Sequence, residues 1–202
     1  VMSLETCEIL SMVSSPAYDQ NVFVDSQLKS RTGVLFMDSQ APLLNRAIKG
    51  QYPPGSVFKI VVAAAGLATN RLDPATNYNC DGVYELGAAK FHCMHTHGLQ
   101  NLAQGIMHSC NIYFFNAGQR VGAEAVYRYS RLLGFGRPTG IDIPFEEKGN
   151  LPNPSQRKWY TGDTLNMSIG QGDVLVTPMQ LLRMLATVGL NGREVVPFFL
   201  KA

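Results

Sequence analysis

Ser56 and Lys59 stand three residues apart, behind Tyr52-Pro53-Pro54-Gly55 and ahead of the uncharged run Ile60-Val61-Val62-Ala63-Ala64-Ala65-Gly66-Leu67-Ala68. The chemistry open to such a pair is nucleophilic attack by a serine hydroxyl with an amine as its base. Two prolines and a glycine stop any preceding element, and an apolar stretch of helical length follows. This predicts Ser56 at or just inside a helix N-terminus, where its hydroxyl meets the positive end of the helix dipole. Residues three apart share a helix face, so the amine can reach the hydroxyl. It works as a base only if burial keeps part of it neutral, because a solvated lysine titrates near ~10.4. The competing reading is a serine that only caps its helix and a lysine in water. The uncharged run favours the first, since it describes a helix buried on nearly all sides with a lysine at its mouth.

Two further groups of side chains carry chemical types. Ser109-Cys110-Asn111 supplies a hydroxyl that could relay a proton and an amide that could position a substrate. Serine and asparagine at i and i+2 cannot share a face of a regular helix, so the triplet works only at a junction or short loop; otherwise it is a polar surface turn. Cys80, Cys93, His97 and Cys110 are separated by twelve, three and twelve residues. Four soft ligands are what a closed tetrahedral zinc site needs, although a paired Cys-x-x-Cys knuckle is missing. A disulfide such as Cys80 to Cys93 with a free Cys110, or unpaired core thiols, would use the same residues. His92 and His95 compete with His97 as the nitrogen ligand. Cys7 falls in a turn and reads only as a small side chain.

The elements that must position these groups follow from periodicity and breakers. Val1 to Val13 reads as a short antiparallel hairpin, and 22–41 as loop with short helix. The nucleophile helix runs to near Asn70, where Leu72-Asp73-Pro74 breaks it. Short strands are expected at Val83 to Leu86 and Lys90 to His92. A helix is expected from Leu99 to Gly118 with the Ser109 triplet in or near its middle, and a second from Ala123 to Leu133. Thr177 and Pro178 read as the N-cap and first residue of a last helix reaching Val188, after which 195–200 begins a strand. Trp159 and Tyr160 read as packing residues beside a cleft.

Composition bounds the function. The chain has 202 residues, 46% of them hydrophobic, enough for a substantial core, and its formal net charge of +2 with scattered basic residues argues against nucleic acid as partner. No apolar run of membrane-spanning length occurs, and the N-terminus has no signal-peptide pattern. Both ends read as cuts through a larger protein.

Taken together, Tyr52 to Lys59, Ser109-Cys110-Asn111 followed by Ile112-Tyr113-Phe114-Phe115, and Gly162-Asp163-Thr164 through Ser168-Ile169-Gly170-Gln171-Gly172 with Thr177-Pro178 resemble the penicillin-binding transpeptidases in order and spacing. Pro42-Leu43-Leu44-Asn45-Arg46-Ala47 and Trp159 to Thr164 resemble the class B subgroup of penicillin-binding protein 2. The resemblance implies an α/β (α+β) fold of the β-lactamase/transpeptidase type, an antiparallel sheet flanked by helices, with residues 1–202 forming a partial transpeptidase domain. It implies a periplasmic enzyme anchored in the bacterial inner membrane that cross-links peptidoglycan stem peptides, is acylated by β-lactams, and serves elongation beside a membrane glycosyltransferase. Ser56 would be the nucleophile, Lys59 its base, Ser109 the relay and Asn111 the substrate-amide ligand. Some members of the subgroup hold a structural zinc ion at the matching loop, which here would fall to Cys80, Cys93, His97 and Cys110. Asp163 and Gln171 would be structural. The third family motif, Lys-Thr/Ser-Gly, does not occur in these residues; it is expected beyond Ala202, together with further core strands, and without it this piece is expected to be inactive. A β-lactam sensor and a class D-type β-lactamase share the motifs and are the alternative readings; no deacylating base is evident for the latter.

Overall fold

The computed structural model describes residues 1–199 and divides into two compact units. The first comprises residues 1–51, 138–148 and the chain from Thr177 onward; the second comprises Tyr52–Arg137 and Gly149–Val176.

In the first unit Met2 bridges Ile9 in antiparallel fashion, with the Ser3 N–H donating to the Glu8 carbonyl at 2.9 Å, so the expected hairpin is present in minimal form. Helix α1 spans Thr32–Met37, inside the segment read as loop with short helix. Helix α7 spans Pro178–Gly189 and starts as expected. Thr177 accepts from the Gln180 N–H and the Gln180 side chain accepts from the Thr177 N–H, a reciprocal cap that satisfies two otherwise orphaned donors. Met179 and Ala186 of this helix pack with Met2, Ile9, Ile48, Ile141 and Val195 into the unit's core. The strand expected from Val195 is reduced to one parallel bridge, Phe198 to Glu8; Leu200, its expected end, lies outside the described residues.

The second unit is built on α2, Lys59–Ala68, which continues directly from a 3-10 turn over Gly55–Phe58. Strands β1 (Tyr78–Cys80), β2 (Val83–Leu86), β3 (Ala89–His92) and β4 (Gly98–Gln100) form two antiparallel pairs, β1 with β4 and β2 with β3. Helices α3 (Leu102–Met107), α4 (Asn111–Val121), α5 (Ala123–Leu132) and α6 (Thr161–Ser168) follow. Helix α2 packs against α4 and α5, and α4 also packs against α6. Tyr84 and Phe91 both meet Phe115 edge-on, at 5.7 and 5.6 Å, which seats the β2–β3 hairpin on α4.

The single helix expected from Leu99 to Gly118 is corrected to a strand end and two helices. Apolar periodicity runs through the break, but the backbone does not: Ser109 has φ +52° and Cys110 is extended. Cys110 caps α4 in place of a usual oxygen cap, its Sγ accepting from the Tyr113 N–H at 3.4 Å. Helix α3 has its own start in Asn101, which forms a reciprocal cap with Gln104.

Close packing of α4 on α6 depends on Gly118, where a Cβ would lie 1.7 Å from Ser168 Oγ, itself fully buried. Gly118→Ala is expected to lower the unfolding free energy by about 2 kcal/mol or more through overpacking, read as a lower urea midpoint with an unchanged m-value.

Candidate active site

The site is assembled from the α2 entrance, the α3–α4 break and the loop after β3, all in the second unit. The α2 entrance is fixed from behind. The Gly55 N–H donates to the Gly170 carbonyl at 2.9 Å, and Tyr52 pairs with Val176. Gly170 has φ +67°, and a Cβ there would come within 2.3 Å of the Gly55 carbonyl oxygen. The Ser168-Ile169-Gly170-Gln171-Gly172 turn is therefore the backing of the serine turn, which gives its glycine a steric reason.

Ser56 is exposed, whereas Lys59 is only 2% exposed. Lys59 Nζ lies 3.2 Å from Ser56 Oγ, 2.9 Å from Ser109 Oγ, 2.6 Å from the Ser109 carbonyl oxygen and 2.8 Å from Asn111 Oδ1. Ser109 Oγ is 2.7 Å from Ser56 Oγ, so the two hydroxyls and the amine form a closed triangle. Removal from water lowers the Lys59 pKa from 10.5 to about 8, against the opposing pull of Cys93 and Cys110. A proton can pass from Ser56 to Lys59 directly or through Ser109. The left-handed conformation of Ser109 is what lets Ser109 and Asn111 face Lys59 together, resolving the i, i+2 conflict of the triplet.

Asn111 is held twice by the loop after β3: its Nδ2 donates to the His92 carbonyl at 3.0 Å, and its N–H donates to Cys93 Sγ at 3.3 Å. An amide nitrogen carries two hydrogens, so one remains for a ligand. The Phe114 ring lies 5.7 Å from Lys59 Nζ and adds a π-face to the amine's surroundings. Neither the His92 carbonyl nor the Phe114 ring is given a role at this site by the sequence. The carbonyl has no side-chain signal, while Phe114 was visible as part of the run after Asn111.

The ligand atoms of Cys80, Cys93, His97 and Cys110 all lie within 4.8 Å of one another. His97 Nδ1 is 3.5 Å from Cys80 Sγ and 3.6 Å from Cys93 Sγ. The β1–β4 ladder makes this possible by pairing Cys80 with Gly98, next to His97. His92 and His95 are outside the cluster. Burial, then the neighbouring His108 and His95, lower the His97 pKa, which favours the neutral imidazole. Burial pushes the Cys110 thiol up to about 12. Although burial also pushes Cys93 upward, N–H groups of His95, Asn111 and Ile112 hold it below the ordinary thiol value. The His97 ring stacks on His108 at 5.6 Å, and His108 Nδ1 is 2.6 Å from Gln100 Oε1.

Trp159 is half-buried, as expected of a packing residue, whereas Tyr160, read from the sequence in the same way, is not packed. Trp159 Nε1 donates to Thr164 Oγ1 at 2.8 Å beneath the Arg157 guanidinium, and Asp163 accepts from the Tyr160 N–H at 2.9 Å; Tyr160 itself is exposed.

A serine hydroxyl within reach of a buried lysine and a bridging second serine is the arrangement that acyl-serine chemistry requires. The family described as penicillin binding protein transpeptidase domain matches residues 1–202, and the chain belongs to it. Among curated relatives, peptidoglycan D,D-transpeptidase MrdA of Acinetobacter baumannii is 37% identical over 207 residues, covering 98% of this chain and 31% of that protein. The chain thus spans about a third of such a relative's length. Among solved structures, a chain of a peptidoglycan synthase complex that coordinates polymerization and crosslinking superposes with a TM-score of 0.91 at 34% identity, over 100% of this chain and 36% of that chain. A ceftriaxone acyl-enzyme complex of penicillin-binding protein A from Mycobacterium tuberculosis superposes with a TM-score of 0.85 at 28% identity, over 98% of this chain and 46% of that chain. These matches establish the β-lactamase/transpeptidase fold, built here from helices and small antiparallel ladders.

Proposed function

We propose that the protein to which this chain belongs is a peptidoglycan D,D-transpeptidase of cell elongation, acting through an acyl-serine at Ser56. The observation that carries this is the triangle of Ser56, Lys59 and Ser109, with the amine desolvated to a pKa of about 8. Ser56 Oγ attacks the carbonyl of the penultimate D-alanine of a stem peptide. Its proton goes to Lys59, directly or by way of Ser109. The Oγ–C bond forms, and collapse of the tetrahedral adduct breaks the C–N bond as the terminal D-alanine leaves with a proton returned through Ser109. The amine of a second stem peptide then attacks the ester and releases Ser56. The Ser56 N–H supplies one oxyanion donor, and Asn111 Nδ2 holds the substrate amide. A β-lactam takes the first half of this path and stays as the ester.

The same reading assigns a structural zinc ion to Cys80, Cys93, His97 and Cys110. Zinc with thiolate and imidazole ligands at about 2.3 and 2.0 Å separates sulfur from nitrogen by about 3.5 Å in a tetrahedron, and the His97 distances of 3.5 Å to Cys80 and 3.6 Å to Cys93 fit that edge. When bound, the ion would cross-link the β1–β4 loop to the first residue before α4; it would take no part in the acyl transfer. Placement in the periplasm, anchorage in the inner membrane and a glycosyltransferase partner complete the reading; the described residues contain no helix long and apolar enough to cross a membrane.

Labelling of the full-length protein with fluorescent penicillin tests the acyl-serine. Wild type is expected to carry a covalent label that Ser56→Ala loses entirely. An unlabelled wild type, or a labelled Ser56→Ala, would falsify the assignment.

A further inference from the structure

We infer that the cleft between the C-terminal end of α2 and helix α5 binds a ligand through its phosphate-type oxyanions, at a site separate from Ser56. The cleft has a volume of about 790 Å³ and is lined by Thr69, Arg71, Glu124, Tyr127, Arg128 and Arg131, with Ala68 and Ala125. Arg128 and Arg131 lie three apart on α5 and so share its face. Arg71 comes in from the turn after α2.

Two of these guanidiniums are fixed by the backbone rather than by acids. Arg71 Nη1 donates to the Val121 carbonyl, and Arg131 Nη1 donates to the carbonyls of Gly136 at 2.7 Å and Phe135 at 3.3 Å. Arg128 makes no hydrogen bond among the described residues, its guanidinium lying 5.3 Å from the Tyr129 ring. None of the three is ion-paired among the described residues. The one carboxylate of the lining, Glu124, accepts from Ser155 Oγ.

Three guanidiniums against the single Glu124 carboxylate leave the cleft lining net cationic, a charge that a bound anion relieves, and two of the three are held on backbone carbonyls. Their remaining N–H groups form planar forks of the kind that pair bidentately with phosphate oxygens. The volume is in the range of small-molecule sites, about 300–1,000 Å³, and exceeds what one phosphate fills. The cleft leaves room beside a phosphate for further bulk, and Tyr127 is part of its lining.

Inorganic phosphate, and separately vesicles of phosphatidylglycerol in phosphatidylcholine against vesicles of phosphatidylcholine alone, are titrated into the full-length protein at low ionic strength, by calorimetry and by co-sedimentation; the gain over phosphatidylcholine alone is the vesicle signal, since the proposed membrane anchor binds both. Binding is expected to weaken steeply with added salt and to fall about tenfold in Arg128→Gln, with Arg128→Lys between the two and the unfolding midpoint of both variants unchanged. Phosphate binding without vesicle binding identifies a soluble anion, and vesicle binding that Arg128→Gln loses identifies a lipid headgroup; either supports the site. No response to either probe, or equal affinity in wild type and Arg128→Gln, overturns it.

Discussion

Full-length protein carrying Lys59→Met is expected to be acylated by penicillin about a thousandfold more slowly than wild type, the scale of a lost general base. The reason is specific to Lys59: its Nζ is the single basic atom within hydrogen-bonding distance of both Ser56 Oγ and Ser109 Oγ among the described residues. Stopped-flow labelling measures it, and a loss of less than tenfold would remove the lysine from the base role. The pH dependence has a definite sign. Only neutral Lys59 accepts the proton, so the wild-type acylation rate climbs with pH up to about 8 and then levels; Lys59→Met has no such limb. Stability carries the complementary signature. The folded pKa of about 8 lies below the unfolded one, so between about pH 8 and 10.5 the unfolded chain binds a proton that the folded chain does not. Stability from this group therefore rises with pH across that window, by on the order of 3 kcal/mol. The difference between wild type and Lys59→Met in urea unfolding at pH 8 and 10 isolates it from the thiols.

The second large effect concerns the cysteine–histidine cluster. Purified wild type is expected to hold about one zinc per chain, and Cys80→Ser or Cys110→Ser to hold almost none, with a loss of about 3–5 kcal/mol in unfolding free energy. His92→Ala and His95→Ala, outside the cluster, keep the metal. Atomic emission and chelator-dependent melting read this out. A wild type without zinc, whose mass shows two hydrogens lost to a Cys80–Cys93 disulfide, would replace the metal with the covalent alternative. The same experiment bears on the acyl-serine, because Cys93 Sγ accepts the Asn111 N–H and Cys110 caps the helix that Asn111 begins.

What could be read from the sequence was whatever is local. Ser56 and Lys59 depend on one helical turn, and Thr177-Pro178 on one cap, so residue type and spacing suffice. The Cys80, Cys93, His97 and Cys110 quartet was visible in the sequence by residue type alone; its convergence needed the β1–β4 register that sets Cys80 opposite Gly98. The break at Ser109 was not legible in the periodicity, because Leu102, Ile106, Ile112 and Phe115 keep a helical apolar rhythm on both sides of a left-handed residue. Nor could the His92 carbonyl be found, since a main-chain oxygen leaves no mark in composition. The expected strand from Val195 failed for a related reason: β-prone residues pair only where a neighbouring edge offers itself, and Glu8 provides one bridge.

The contrast in depth between Ser56, open to solvent, and Lys59, sealed beneath it, bears on where the reaction's proton can go. A large acyl donor can reach the hydroxyl, but a buffer molecule has no route to the amine. The proton therefore circulates within the protein rather than through the medium, and at fixed pH the acylation rate is indifferent to buffer concentration. Solvent sets how many molecules start with a neutral lysine and then has no further part in the step.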